Sequence, residues 1–149
     1  MSIDAAIHQE NFRTEHERAV VNILYTSSWL HALHTTRLKP FGITPEQFNV
    51  LRILRGADPK PLMLSNITCR MIDKSSNATR LVEKLRQKGM VNRKQCENNR
   101  RQVDISITQT GLAILKEIDQ LESDWTKTVE ALSKEEAAQL NQLLDKLRG

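Results

Sequence analysis

The run Ser75-Ser76-Asn77-Ala78-Thr79-Arg80-Leu81-Val82-Glu83-Lys84-Leu85-Arg86-Gln87-Lys88-Gly89, residues 75–89, decides the fold of this 149-residue chain. Ala78, Leu81, Val82 and Leu85 stand at i, i+3, i+4 and i+7, the period of a helix that buries one stripe. Ser75 offers a capping hydroxyl in front of it, and Gly89 closes it behind. At about 100° per residue the face opposite the stripe carries Ser76, Arg80, Glu83 and Gln87, flanked by Asn77, Thr79 and Lys84. Those side chains can bond base edges and phosphates.

Working outward, the spacing predicts a short helix from about Met63 to Met71, then a tight turn at Ile72-Asp73-Lys74. Behind the central helix, Met90–Arg93 and Val103–Thr108 alternate apolar with polar residues as half-buried strands do, and Gln95 to Gln102 between them is expected to be a hairpin loop. Two strands cannot stand alone, so they must lie against the helices. Two short helices, a turn and a hairpin make a helix-turn-helix with a wing. Further upstream, Thr44-Pro45-Glu46-Gln47 is a capping box opening a helix with Phe48, Leu51 and Leu54 on its buried side.

The ends of the chain are longer and simpler. Asn11 to Leu38 reads as one amphipathic helix bearing Val20, Ile23, Leu24, Leu30 and Leu33, ended by Pro40 and Gly42. From Thr110 a second long helix runs through Leu112, Leu115, Ile118, Leu121, Trp125, Val129 and Leu132. Ser133-Lys134-Glu135-Glu136 opens a last helix with Ala137, Leu140, Leu144 and Leu147. The expected fold is mainly α with a small β-hairpin wing, an α+β arrangement. It forms a single domain over 1–149, with a winged helix-turn-helix lobe at about 44–108 and long dimerisation helices at about 1–40 and 110–149. The stripe from Leu112 to Leu132 is too long for one small lobe to bury, which asks for a homodimer.

Charge separates along the same lines. The chain has 22 basic and 18 acidic residues, a net charge of +4. Residues 70–101 hold 10 basic and 3 acidic side chains, a local +7, while residues 102–149 hold 5 and 9, a local −4. So concentrated a positive segment calls for a polyanion. Membrane insertion is ruled out, because no apolar stretch approaches the ~18 residues a span needs and the N-terminus lacks a signal pattern, and the location of the charge on a helix-turn-helix and wing favours nucleic acid over a membrane surface. Double-stranded DNA remains, and the chain reads as cytoplasmic. Cys69 and Cys96 fit a reduced compartment and read as small filler residues.

A helix of this kind enters the major groove, where Arg80 can take guanine O6 and N7 with its fork and Asn77 can read adenine or a phosphate. Ser75, Ser76, Thr79 and Lys84 suit phosphates near the helix N-terminus. Arg100 and Arg101 stand near the hairpin tip, where a minor groove narrowed by A·T sequence attracts guanidinium groups. Arg93 and Lys94 flank the other strand and suit phosphates.

Thr44–Leu51, Thr79–Val91, Asn99-Arg100-Arg101 and Ile107-Thr108-Gln109-Thr110-Gly111 together resemble the successive signatures of the MarR family of winged-helix transcription regulators. The resemblance covers nearly the whole chain. It implies a homodimer whose first and last helices intertwine, with two lobes reading adjacent major grooves of a pseudo-palindromic site, and a repressor released by a small aromatic effector. Tyr25, Trp29 and His34 are the candidate lining for that effector, with core packing as their plainer role. Family members usually carry aspartate where this chain has Asn99, and there it orients a wing arginine; the change keeps a hydrogen-bonding side chain and loses its charge.

Other chemistries are weaker. Thiol-sensing members carry their cysteine near the start of the first long helix, whereas Cys69 and Cys96 lie in the motif and the wing. His31 and His34, three apart on one helical face, have no matching carboxylate or cysteine cluster for a zinc-responsive variant. A Gly-rich phosphate loop, nucleophile elbow or paired catalytic carboxylates are missing, so an enzyme is not expected, nor a cofactor or metal. The remaining alternative is a protein-interaction module using the acidic helices, which salt titration separates from DNA binding.

Overall fold

The structure is a computed structural model that describes residues 1–9, 11–96, 99–121 and 130–149. In chain order it contains α1 (Ile3–Ile7), α2 (Glu15–Leu38), a 3-10 turn (Lys39–Phe41), α3 (Pro45–Arg55), β1 (Leu62–Met63), α4 (Leu64–Arg70), α5 (Ala78–Gln87), β2 (Val91–Cys96), β3 (Asn99–Ile107), α6 (Gln109–Gln120) and α7 (Lys134–Arg148). The strands form one antiparallel sheet in the order β1-β3-β2.

Local signals set most boundaries. The Thr44 hydroxyl accepts from Gln47 N while the Gln47 side chain accepts from Thr44 N, and Ser133 and Glu136 repeat that box at α7. Gly42 and Gly89 sit at φ +66° and +70°, the left-handed region that lets a chain leave a helix without a Cβ clash.

The core fills the space between α3, α4, α5, the sheet and one face of α6. Val50, Leu51, Ile67, Leu85, Leu115 and Ile118 are completely buried. Leu38, at the end of α2, belongs to the same cluster. Helix α6 is fastened beside it: the Arg55 guanidinium donates to Asp119 at 2.5 Å, and Arg37 Nη2 donates to the Ile118 carbonyl at 3.1 Å. At Gly111 an added Cβ would lie 2.5 Å from the Met90 carbonyl oxygen and 2.7 Å from Ile107 Cγ1, so glycine is what lets α6 touch the base of the wing. Among the described residues no helix is long and apolar enough to cross a membrane.

Several expectations need correction. The helix expected from Asn11 begins at Glu15 and is preceded by the short α1, which Asp4 ties to Arg18 at 2.6 Å. The central helix runs 78–87 rather than 75–88. Its cap is Asn77, whose side-chain oxygen accepts from Arg80 N, because the Ser75 hydroxyl and amide both go to Asp73. β1 was not expected: two residues show no alternation, and it exists by pairing Leu62 with Ile105 and Met63 with Asp104. The long hairpin loop shrinks, since β2 reaches Cys96 and β3 starts at Asn99, with an irregular register between Gln95 and Cys96. A ladder is built from backbone groups, so polar side chains do not prevent it. α6 starts at Gln109 under a Thr108 cap and is described to Gln120. Trp125 and Val129 of the expected stripe lie outside the described residues, and Leu132 falls ahead of α7.

Candidate nucleic-acid interface

α5 is amphipathic in the strict sense. Ala78, Val82 and Leu85 are buried against the core, and Leu81 is half-buried. On the other side Asn77, Thr79, Arg80, Glu83, Lys84 and Gln87 line one shallow concave surface. Arg80 and Lys84 are exposed there. Glu83 accepts from Arg86 Nε at 3.0 Å, Arg86 Nη2 at 2.8 Å and Gln87 Nε2 at 3.3 Å. That hydrogen-bonded guanidinium holds the Glu83 carboxyl below its ordinary range and raises Arg86 in return, and Arg93 of β2 adds a smaller pull on Glu83.

The turn leading into α5 is organised by Asp73. Its carboxylate accepts from Ser75 N at 2.8 Å, the Ser75 hydroxyl at 2.6 Å and the Ser76 hydroxyl at 3.2 Å. Those bonds, the Ser75 hydroxyl first, keep Asp73 ionised to lower pH than usual. Both serine hydroxyl protons are thus engaged within the turn and not directed to a phosphate, contrary to the expectation for Ser75 and Ser76. Asn77 spends its carbonyl oxygen on the Arg80 amide at 3.0 Å and keeps its NH2 as a donor.

The wing is anchored at its base. Thr108 Oγ1 donates to the Gly89 carbonyl at 2.7 Å and accepts from Gly111 N at 3.1 Å, while Thr108 N donates to the Met90 carbonyl at 3.0 Å. Lys88 Nζ donates to the carbonyl of Gly42 and to Gln47 Oε1, tying the end of α5 to the cap of α3. Arg93 and Lys94 are exposed on β2, with Lys94 opposite Asp104. Asn99, Arg100 and Arg101 take their places in β3, and their side chains lie outside the described part, as do Glu97 and Asn98.

A second feature lies where α2 meets α3. A pocket of about 500 Å³ is bounded by His31, His34, Phe48, Asn49, Arg52 and the 71–73 turn. The rings of His34 and Phe48 meet edge to face at 6.5 Å and 87°, and Arg52 Cζ lies 5.8 Å from the Phe48 centroid. Burial holds the His34 pKa below its usual value, with help from the charges of Arg37, His31 and Arg52. Of the three candidate ligand residues, His34 is in this wall. Tyr25 and Trp29 lie on earlier turns of α2, are 43 and 44 % exposed, and do not line it. Phe48, Asn49 and Arg52 were missed: Phe48 and Arg52, four apart in a capped helix, were visible as a pair, but nothing local said that α2 would face them. His31 Nε2 lies 4.0 Å from Glu46 Oε1, and among the described residues no three metal-binding side chains cluster. Cys69 is exposed, its Sγ 3.2 Å from the Asn66 carbonyl.

Comparison with known proteins agrees with this geometry. The family model described as MarR family matches residues 43–103. The transcriptional repressor MprA of Escherichia coli K12 is 30% identical over 115 residues, which cover 74% of this chain and 63% of MprA. The chain thus spans less than two thirds of the curated relatives it matches. A MarR-like transcription regulator of Bacillus cereus superposes with a TM-score of 0.79 at 24% identity, covering 90% of this chain and 96% of that one. A mutant MarR of E. coli in complex with operator DNA superposes with a TM-score of 0.73 at 27% identity, covering 85% and 91%.

Proposed function

This chain belongs to the MarR family, and on that premise we propose that it is a sequence-specific, dimeric DNA-binding regulator that represses by occupying a pseudo-palindromic operator. It acts by binding, not by catalysis. The observation that carries this reading is the exposed face of α5: six polar side chains from Asn77 to Gln87 share one surface above a buried stripe, inside the segment of local charge +7. Arg80 reads a base, since its fork matches guanine O6 and N7. Asn77, Thr79 and Lys84 meet phosphate or base edges beside it, and Arg93 meets the backbone. Asn99, Arg100 and Arg101 carry the wing into the minor groove.

The whole of 1–149 acts as one domain, with the lobe at about 44–108 reading DNA and the flanks pairing with a second copy. Val20, Leu24, Leu140, Leu143 and Leu147 expose apolar surface on α2 and α7, which supports a homodimer. The pocket beside Phe48 and Arg52 suits a small aromatic effector: a ring finds Phe48 and His34, and an acidic substituent finds Arg52. Double-stranded DNA as partner supports a cytoplasmic, nucleoid-associated location.

Selection of bound sequences from a random duplex pool at about 150 mM salt tests the function. A recovered inverted repeat, bound at least ~10³ more tightly than random duplex, is expected. Binding that is uniform across sequences, or insensitive to salt, overturns it.

A further inference from the structure

The turn into the reading helix is held from an unexpected side. Asn49, on α3, accepts from the backbone N–H of Ile72 through its side-chain oxygen at 2.9 Å. Burial does not hold Ile72 in place, since its own side chain is 86 % exposed. Immediately before it, Met71 is buried in the core at 2 %. Immediately after it, Asp73 gathers Ser75 and Ser76, and Asn77 then caps α5 by accepting from Arg80 N. Three sets of hydrogen bonds, joined by the peptide links 72–73 and 76–77, therefore lead from α3 to the residue that the proposed function makes the base reader. Lys88 makes the corresponding tie at the far end of α5, to Gly42 and Gln47 at the start of α3. Helix α5 is thus tied to α3 directly at its C-terminal end, and at its N-terminal end through the 72–77 turn that Asn49 holds.

We infer that Asn49 is a positioning residue for DNA recognition, setting the register of the first turn of α5 through the Ile72 amide. The inference rests on the proposed DNA-reading function. Asn49 touches no base itself; it fixes the 72–77 segment so that Arg80 meets the groove at one depth and angle. A misplacement there costs the geometry-dependent bidentate contact and leaves the non-directional attraction to phosphates unchanged. The same carboxamide stands in the wall of the pocket between α2 and α3. The reading helix is therefore registered by a residue that the proposed effector would touch.

Asn49→Ala and Asn49→Asp, compared with the full-length wild-type protein, test this. Asp keeps an acceptor for Ile72 N; Ala does not. In Asn49→Ala the amides of Ile72, Ser75 and Arg80 are expected to exchange about tenfold faster while those of Leu115 and Ile118 keep their protection. Affinity for the selected operator falls about tenfold, and affinity for random duplex and the salt slope stay unchanged. Asn49→Asp restores both exchange and affinity. The inference is overturned if faster exchange stops at Ile72, if operator and random duplex weaken equally, or if Asp behaves as Ala. A wild-type protein with no sequence preference instead refutes the proposed function, and the exchange measurements still decide whether Asn49 sets the register.

Discussion

Leu51 of α3, Leu85 of α5 and Leu115 of α6 are completely buried, while Leu24 of α2 and Leu143 and Leu147 of α7 are 65, 58 and 63 % exposed. The same side chain serves two regions under opposite conditions. The winged lobe closes its core within one chain. The terminal helices carry stripes of the same period that the described residues leave largely exposed, and α7 buries no residue at all. A helix with an apolar stripe is stable when that stripe meets another surface. The lobe is therefore a finished object, and α2 and α7 are the part for which we propose a second copy as cover.

The largest expected effect follows directly. Leu51→Ala removes a fully packed side chain and should cost about 2–5 kcal/mol, through lost transfer energy and the cavity left behind. Leu143→Ala should cost the isolated chain no more than about 0.5 kcal/mol, as surface substitutions do. Denaturation at two protein concentrations separates the cases: the Leu51 loss is independent of concentration, whereas any Leu143 loss appears with the second copy. Equal, concentration-independent losses would erase the distinction between the regions.

Gly111 tests the seam where the lobe joins α6. Its Cβ position lies 2.5 Å from a backbone oxygen, which has no flexible end to yield. Gly111→Ala should lower stability by about 1–3 kcal/mol despite the better helix propensity of alanine. A melting temperature that rises, as propensity alone would give, would show that α6 can lift from the wing base.

The two regions also differ in how far their sequence could be read. Boundaries set by neighbours in the chain were legible: the Thr44 and Ser133 boxes, the breaks at Gly42 and Gly89, the stripe of α5. Boundaries set by distant partners were not. β1 exists because Leu62 meets Ile105, and Asn77 rather than Ser75 became the cap because Asp73 captured the serines. In the candidate interface, Arg80, Thr79 and Lys84 follow from helical period alone. The pocket does not, since its wall is α3 facing α2 and no periodic pattern says which helices will face each other. Asn49 is the sharpest case: it lies in a helix with its own clear stripe, and its partner is 23 residues away.

In the proposed recognition of DNA, two arginines with different roles should fail differently. Arg80→Ala should cost about 1–3 kcal/mol on the selected operator and relax preference at one position in each half-site. Arg101→Ala should weaken binding to every sequence and reduce the salt slope by about 1. Titrations of operator and random duplex over a range of salt distinguish the patterns. Identical, sequence-independent losses would mean that helix and wing both act as phosphate clamps.

The smallest effect belongs to the junction of the two regions, where His34 of α2 meets Phe48 of α3. Burial and the charges of Arg37, His31 and Arg52 disfavour its protonated form. The unfolded chain takes up this proton near pH 6.5, and the folded chain takes it up only at lower pH. Between those two values the unfolded state holds more protons, so stability declines as pH falls through that window and is unaffected by His34 above it. His34→Gln cannot titrate and should lose less stability between about pH 7 and pH 5.5 than the wild type. If both proteins lose the same amount over that interval, the packing of α2 on α3 does not feel the charge on His34, and the two regions meet there without electrostatic coupling.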